Sequence, residues 1–415
     1  MAKALARVAS AWAGLTMLTA CAAHAPQASM ARPPVPRAAT AARSPAVRRA
    51  PAKPARPTKP PGAPGVSTAA LPHIYGMQMV SPTTGWINAG ALFRTTNGAQ
   101  TWTEVFQRPG AVLAWAAPTS ESAWVVMQAR SGDQVQVWST TDAGVEWHAV
   151  TLSTPWAITE VHLQVGADGT GTVVASGQSV NSMQTTQQRL WHIVGNTVIT
   201  AAMYTTNNGQ FLAASWASPS DGWATASSAA INDLQAVLFQ TTDGGRQWLG
   251  VPLPLPPNVP HPAPSSRLMP FLLLGHAPTF VEPGDGYVAA QLSYGTATTP
   301  PTTYPVLYQT TNDRTWTPVW MGPPHHAFTQ LQWITATAAW AVLRPTANAT
   351  STWIVVSTSG GRAWSRALAP DPSDHLTYDL VAVSPTEAVL YALSSTQALT
   401  VYATTNGGQT WQARS

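Results

Sequence analysis

The sequence predicts an all-β chain built from seven repeated four-stranded units, and three observations carry that prediction. The first is a recurring box. TTDGGRQW at 241–248 has near copies at 95–102 (TTNGAQTW), 140–147 (TTDAGVEW), 357–364 (STSGGRAW) and 404–411 (TTNGGQTW), and a shortened form, TTNDRTW, at 310–316. The second is a phrase roughly 15 to 25 residues ahead of each box, seen as VSPTTGWINAG (80–90), AAPTSESAWVV (116–126), ASPSDGWATA (217–226), VEPGDGYVAA (281–290), TATAAWAVL (335–343) and VSPTEAVLYAL (383–393). The third is the texture around both. Residues there alternate or run apolar over four to eight positions, as strands do, with Pro and Gly between them marking turns.

One unit reads as strand A, the SPxxGW turn, strand B, a variable loop, strand C, the box hairpin and strand D. In the first unit these are YGMQMV (75–80), GWINAG (85–90), ALFRTT (91–96) and TWTEVF (101–106). Units begin near residues 74, 111, 158, 211, 277, 329 and 378. The third is degenerate. EVHLQVGADGTGTVVASG (160–177) fits strands A and B, WHIVGNTVITAAM (191–203) replaces the box with a Gly195–Asn196 hairpin, and TTQQRLW (185–191) and TTNNGQF (205–211) look like box remnants. A four-stranded unit cannot bury both of its faces alone, so neighbours must stack around an axis. Seven such units suit a seven-bladed β-propeller. A β-sandwich with repetitive turns would not need the same grammar seven times.

The box residues read as structure. An Asp such as Asp243 accepts backbone N–H groups within its own turn, and Gly244 and Gly245 permit positive φ. Trp248 supplies a large apolar surface to pin the hairpin. The corresponding positions are Thr95, Asn97 and Trp102; Thr140, Asp142, Gly144 and Trp147; Thr241; Asn312 and Trp316; Ser359, Gly361 and Trp364; Asn406, Gly408 and Trp411. Asn97 and Asn406 keep the acceptor and Ser359 a weaker one, exchanges that a turn tolerates and catalysis does not. Each box offers one carboxylate or none, whereas calcium takes six to eight oxygens. The boxes are punctuation.

These boxes resemble the Asp-box, or BNR, repeat, Ser/Thr-x-Asp-x-Gly-x-Thr-Trp. Thr140, Asp142, Gly144 and Trp147 match it, as do Thr241, Asp243, Gly245 and Trp248; Thr404, Gly408, Thr410 and Trp411 match with Asn406 in the Asp place. Ala99 in the Gly place and the deletion at 310–316 depart from it. The resemblance covers residues 73–415 and implies the propeller fold. Sialidases, some endoglucanases, sortilin-type receptors and photosystem II assembly factors share the repeat, and the short, nearly insert-free layout is most similar to photosystem II stability/assembly-factor-like exported propellers. Fold does not imply function.

The N-terminus reads as an export signal over 1–20, with Lys3 and Arg7 ahead of an apolar run from Val8 to Met17. LTAC (18–21) resembles a lipobox, which implies lipidation of Cys21, the only cysteine in 415 residues; ordinary secretion, with cleavage near AAHA, is the other reading. One cysteine excludes an intramolecular disulfide. Residues 21–72 form an Ala/Pro-rich tether without hydrophobic periodicity, expected to be disordered. Its Arg32, Arg37, Arg43, Arg48, Arg49, Lys53, Arg56 and Lys59 give +8, whereas in the rest eleven arginines against all 17 carboxylates leave −6. The basic tether either adds attachment to anionic lipid or wall polymer or is a solvated spacer. Charged residues are only 9% of the chain, against the usual ~25%, which suits an exterior of varying pH.

The strand order puts A–B turns and boxes on one face, and B–C and D–A loops on the other. Binding is expected on that loop face, with Trp156, Tyr294, Tyr304, Trp320, His325, His326 and Arg344 as candidate binding residues; equally, the aromatic ones could serve to cover loop bases. The Pro-rich connection at 252–278 reads as a docking segment or a tolerated insertion. His325 and His326 with His261, His276 and His375 show no metal-ligand spacing. Glycoside hydrolysis needs two facing carboxylates, and Glu160, Asp233, Asp371, Asp374 and Asp379 offer no evident pair. Arg246, Arg314 and Arg362 sit in box turns, on the wrong face for a sialidase-like grip. No catalytic residue, cofactor or metal is expected, and a net-acidic exported domain does not suit nucleic acid. The expected protein is a monomeric, non-catalytic scaffold, membrane-anchored outside the cytoplasm, that binds an envelope protein or cell-wall/glycan polymer. A carbohydrate-active enzyme or lectin is the alternative. Ring closure is expected from packing of the first and last blades, unless the tether adds a strand.

Overall fold

A computed structural model describes residues 65–414 except 72, 130, 167, 180–181, 207–208, 219, 229–237, 258–270, 274–276, 283, 295–301, 347–350 and 368–374. It is a seven-bladed β-propeller of antiparallel four-stranded blades, as the repeats predict. Strands A to D of blade 1 are Gly76–Met79, Gly85–Asn88, Leu92–Thr95 and Thr101–Phe106. Strand A opens the other blades at Val112–Ala116, Glu160–Val165, Gly209–Trp216, Phe271–Leu273, His326–Trp333 and His375–Ala382. In blade 5 the innermost position is shared, since Thr279–Glu282 also pairs with strand B, Asp285–Tyr294. That blade therefore begins earlier than the sequence suggested. In blade 3, Val194 pairs with Thr197 across the expected Gly195–Asn196 hairpin. The apparent remnant TTQQRLW is simply part of strand C, Ser182–Val194.

Short-range chemistry explains the recurring phrases. The Gly opening strand B lies beneath a large side chain of strand A. A Cβ on Gly85 would sit 2.1 Å from Met79 Sδ, and one on Gly222 or Gly286 would be 2.6 Å from Trp216 or 2.5 Å from Phe280. An aromatic residue of strand B reaches the following blade, next in line at Trp86, Tyr287 and Trp340 and two positions further on at Tyr391. Trp86 Nε1 donates to Thr119 O, Tyr287 Oη to Ala336 O, Trp340 Nε1 to Ser384 O and Tyr391 Oη to Pro82 O, at 2.6–3.3 Å. Each receiving carbonyl lies in the next A–B turn. One side chain thus buries apolar area and satisfies a neighbour's backbone.

The ring closes by packing of blades 1 and 7. Ile74, Met77, Met79, Ile87 and Phe93 form one buried cluster with Val381, Val389, Tyr391 and Leu393. Asp379 Oδ2 accepts the Met79 N–H at 2.5 Å, and Ile74 N–H donates to Gln397 Oε1 at 2.8 Å. The segment read as tether does add a strand, but elsewhere. Val66–Ser67 pairs with Thr101–Phe106 on the outer edge of blade 1, so folded structure starts at about Gly65 rather than at 73. Residues 1–64, with Cys21 and the segments read as a signal and as most of a tether, lie outside the described residues.

Candidate binding face

Five full boxes share one hydrogen-bonding scheme, and the shortened box at 310–316 keeps its second part. The first Thr or Ser is buried, and its Oγ accepts the N–H four residues on: Ala99 to Thr95, Gly144 to Thr140, Gly245 to Thr241, Gly361 to Ser357, Gly408 to Thr404, all at 3.0–3.1 Å. The third-position oxygen accepts from the far side of the turn. Asn97 takes the Thr101 N–H, Asp142 that of Glu146, Asp243 that of Gln247, Asn312 that of Thr315, Ser359 that of Ala363 and Asn406 that of Thr410. These bonds, led by the Gln247 N–H, hold the Asp243 carboxyl below its ordinary range. At Asp142 burial pushes upward, but the Glu146 N–H and the Thr140 hydroxyl outweigh it.

The turn then binds its own blade. Gly98, Ala143, Gly244, Gly360 and Gly407 donate their N–H to Thr83, Glu121, Ser220, Thr337 and Thr386 carbonyls at 2.8–2.9 Å. These acceptors are the A–B turns, so both lie on one face of the ring, opposite the B–C and D–A connections. Arg246 and Arg362 stay there too, with Nη1 on the Asp243 and Ser359 carbonyls. Box side chains spend their polar groups on the scaffold.

On the opposite face several candidate residues point inward. Trp156 is 7% exposed and lies over Gly177, where a Cβ would be 2.1 Å from its Cδ1, so it covers the base of its loop. Trp320 is half-buried between blades, with ring centroids 5.7 Å from both Phe328 and Trp364. Tyr304 packs on the cluster shared by blades 4 and 5. His326 is buried, Nδ1 2.9 Å from Pro324 O and Nε2 3.2 Å from Ser351 O, so a backbone carbonyl faces each nitrogen and one of them takes the ring N–H. His325 turns the chain at φ 61°, donating its N–H to Thr303 O and accepting from Thr346 N–H. Arg344 is half-buried. The side chains of Tyr294 and His375, and residues His261, His276, Asp233, Asp371 and Asp374, lie outside the described residues. Asp379 is not on the loop face but sealed in the ring, and burial pushes its carboxyl up to about 7, partly opposed by the Met79 N–H and Gln330.

Sequence reasoning missed an aromatic–cationic sector on blade 6. Trp353 opens strand C there, its ring 4.8 Å from His326 and 4.2 Å beneath the Arg366 guanidinium. Arg366 is exposed on the outer strand, placed for cation–π contact. The signal in the sequence is a Trp two positions past the ANATS stretch at 347–351, at the head of a strand-like run. At the junction of blades 2 and 3, Glu160 pairs with His162 at 3.1 Å, and the His162 hydrogen bond holds its carboxyl low. Among the described residues no three His, Cys, Asp or Glu are grouped to hold a metal.

No known family model matches the sequence, and no curated protein matches it. Solved structures do. A GH74 xyloglucanase from Xanthomonas campestris superposes with TM-score 0.47 at 14% identity, over 83% of this chain and 52% of that one. YCF48 bound to a D1 peptide gives 0.43 at 12% identity, over 83% and 94%. The β-propeller domain of the Trilobed protease from Pyrococcus furiosus, with an open velcro topology, gives 0.44 at 9%, over 83% and 95%. The chain thus spans about half of the xyloglucanase's length.

Proposed function

We propose that the protein is a non-catalytic binding scaffold that presents the loop face of a rigid ring to an envelope protein or polymer. The observation carrying this reading is the division of labour between faces. Box residues are consumed within the scaffold, while blade 6 offers Trp353, half-buried, under an exposed Arg366. Aromatic and arginine side chains of this kind anchor interfaces. Such a sector suits a partner presenting carboxylates together with apolar or aromatic groups. Of the carboxylates named above, Asp142 and Asp243 hold turns, Asp379 is sealed in the ring and Glu160 is paired with His162, so none of these four is free for hydrolysis.

The Asp-box resemblance, and a lipid anchor at Cys21 followed by the basic tether, complete the proposal. The anchor would hold the ring outside the membrane at the end of a semi-rigid spacer. The test is crosslinking capture from intact cells expressing wild type, Trp353→Ala/Arg366→Glu, or the box-face control Arg246→Glu. A discrete species captured by wild type and the control but lost with the double variant is the expected result. Equal capture by all three would sink the loop-face reading. In the same cells Cys21→Ser is expected to leave the membrane fraction; continued retention would remove the anchor.

A further inference from the structure

The two faces of the ring differ in charge. On the box face the A–B turns carry Glu121, Asp168, Asp221, Glu282, Asp285 and Glu387, and the boxes add Asp142, Glu146, Asp243 and Asp313. Against these ten carboxylates stand four arginines, Arg94, Arg246, Arg314 and Arg362, a balance of −6. That equals the whole net charge of residues 73–415, eleven arginines against 17 carboxylates. On the opposite face Arg108, Arg344 and Arg366 stand against Asp133 and Glu160 among the described residues. Repetition sets the same turns around one rim, so single charges sum to a field over that side. Glu121, Glu146, Glu282 and Glu387 are exposed there, and of these Glu121 meets Arg94 at 3.5 Å. The Ser218 and Ser220 hydroxyls hold the Asp221 carboxyl below its ordinary range, which keeps its charge as pH falls.

The chain carries its own complement. Residues 32–59 hold six arginines, two lysines and no carboxylate, a balance of +8. This segment joins the ring beside the acidic face. Ser67 pairs with Thr101, Thr68 Oγ1 donates to Ala99 O inside the first box, and a Cβ on Gly65 would lie 3.0 Å from Thr101 Cβ. At 3.1 Å per residue of extended proline-rich chain, Lys59 reaches about 19 Å from Gly65 and Arg32 about 100 Å. Such a chain is already extended, so lying down on a surface costs it little further entropy. Each exposed ion pair is weak alone, but pairs linked in one chain form at a high effective concentration.

We infer that the acidic box face is the docking surface for the chain's own basic segment, residues 32–59, which lies across the A–B turns and boxes. Docked, the segment occupies that face and leaves the loop face open. This stands apart from the loop-face reading, and either survives the failure of the other.

Trypsin cleavage of the full chain after Arg37, Arg43 and Arg49, followed by mass spectrometry, tests it. Wild type is compared at each salt concentration with Glu121→Gln/Glu146→Gln/Glu282→Gln/Glu387→Gln, so that the effect of salt on trypsin cancels. At ~20 mM salt wild type is expected to be cut about tenfold more slowly than the variant. At ~500 mM, where the Debye length is roughly 4 Å, the two rates are expected to be equal. Equal rates at low salt, or a difference that persists at high salt, overturns the inference. So does protection that grows with protein concentration, which would put another copy's segment on the face. The four glutamates are exposed, so the variant is expected to melt within a few degrees of wild type by circular dichroism. Should it not, Arg48→Glu/Arg49→Glu, outside the folded ring, replaces it with the same expected loss of protection at Arg37 and Arg43.

Discussion

At the scale of single residues, the box explains which substitutions matter and in which direction. Two consecutive positions in each full box take left-handed backbone, Gly407 and Gly408 at φ 70° and 79°, Ala143 and Gly144 at 64° and 85°. An L side chain there costs about 1–2 kcal/mol. Ala143→Gly is therefore expected to stabilise the protein by ~0.5–1 kcal/mol, read as a higher urea midpoint. Gly408→Ala goes the other way. Its Cβ would meet Ala367 Cβ of the preceding blade at 2.3 Å, so strain and overpacking together are expected to cost roughly 2–4 kcal/mol. Equal and small effects of both changes would mean that the turn relaxes freely and that the box is not under backbone constraint.

Among the elements, the added strand on blade 1 has a sharper role than its length suggests. Trp102 is fully buried, as is Trp316 of the shortened box, whereas Trp147, Trp248, Trp364 and Trp411 of the other full boxes are half-exposed in their blades. The difference is the cover supplied by Val66–Ser67 and the turn after it. Thr68 Oγ1 accepts the Trp102 Nε1–H at 2.9 Å and itself donates to Ala99 O at 2.8 Å. Thr68→Val keeps the shape but strands both groups, and is expected to cost about 1–3 kcal/mol. Thermal melts check this, with Thr68→Ser as the variant expected to retain most of the stability. Loss of less than ~0.5 kcal/mol in Thr68→Val would show that water replaces the hydroxyl at that edge.

Across the whole molecule, closure depends on a polar strip along the innermost strands. Gln78 Oε1 accepts the Ala117 N–H, Gln330 Oε1 that of Leu380, and Gln332 Oε1 that of Ala382, at 2.8–2.9 Å. Asp379 does the same across the seam, but as a carboxyl whose burial raises it from 3.8 to about 7. The folded state therefore holds a proton between about pH 4 and pH 7 that the unfolded chain has released. Stability must fall as pH rises through that window, by on the order of 4 kcal/mol in all, and stay flat above it. Asp379→Asn keeps an acceptor for Met79 without the charge. Its melting temperature is expected to exceed that of wild type at pH 8 and to vary less between pH 5 and pH 8; an unchanged wild-type slope would place the titration elsewhere. His192 works in the opposite sense at the blade 3–4 junction. Stacked 4.0 Å from Trp216, it is held neutral by burial below its ordinary range, so it takes stability away as pH falls below about 6.5.

Much of this was legible in the chain because a blade is specified locally. The boxes and the SPxxGW phrases state turn type, strand boundaries and the residue that must bury, and repetition made the ring the natural way to cover seven sets of faces. Gly195–Asn196 announced its hairpin for the same reason. What escaped depends on who the neighbours are. Trp156 and Trp320 look like surface aromatics in a loop and at a strand end, yet Gly177 and the Phe328–Trp364 pair leave room that only tertiary packing reveals. Arg366 and Trp353 are 13 positions apart in the numbering and meet because strands C and D of blade 6 pair. Val66–Ser67 carries no periodicity of its own; the unfilled edge beside Trp102 makes it a strand. The sequence alone determined the repeat, its turns and the number of blades, since each is written within some fifty residues. The tertiary structure decided the seam and the buried carboxyl, since those depend on contacts between segments hundreds of residues apart, 300 in the case of Asp379 and Met79.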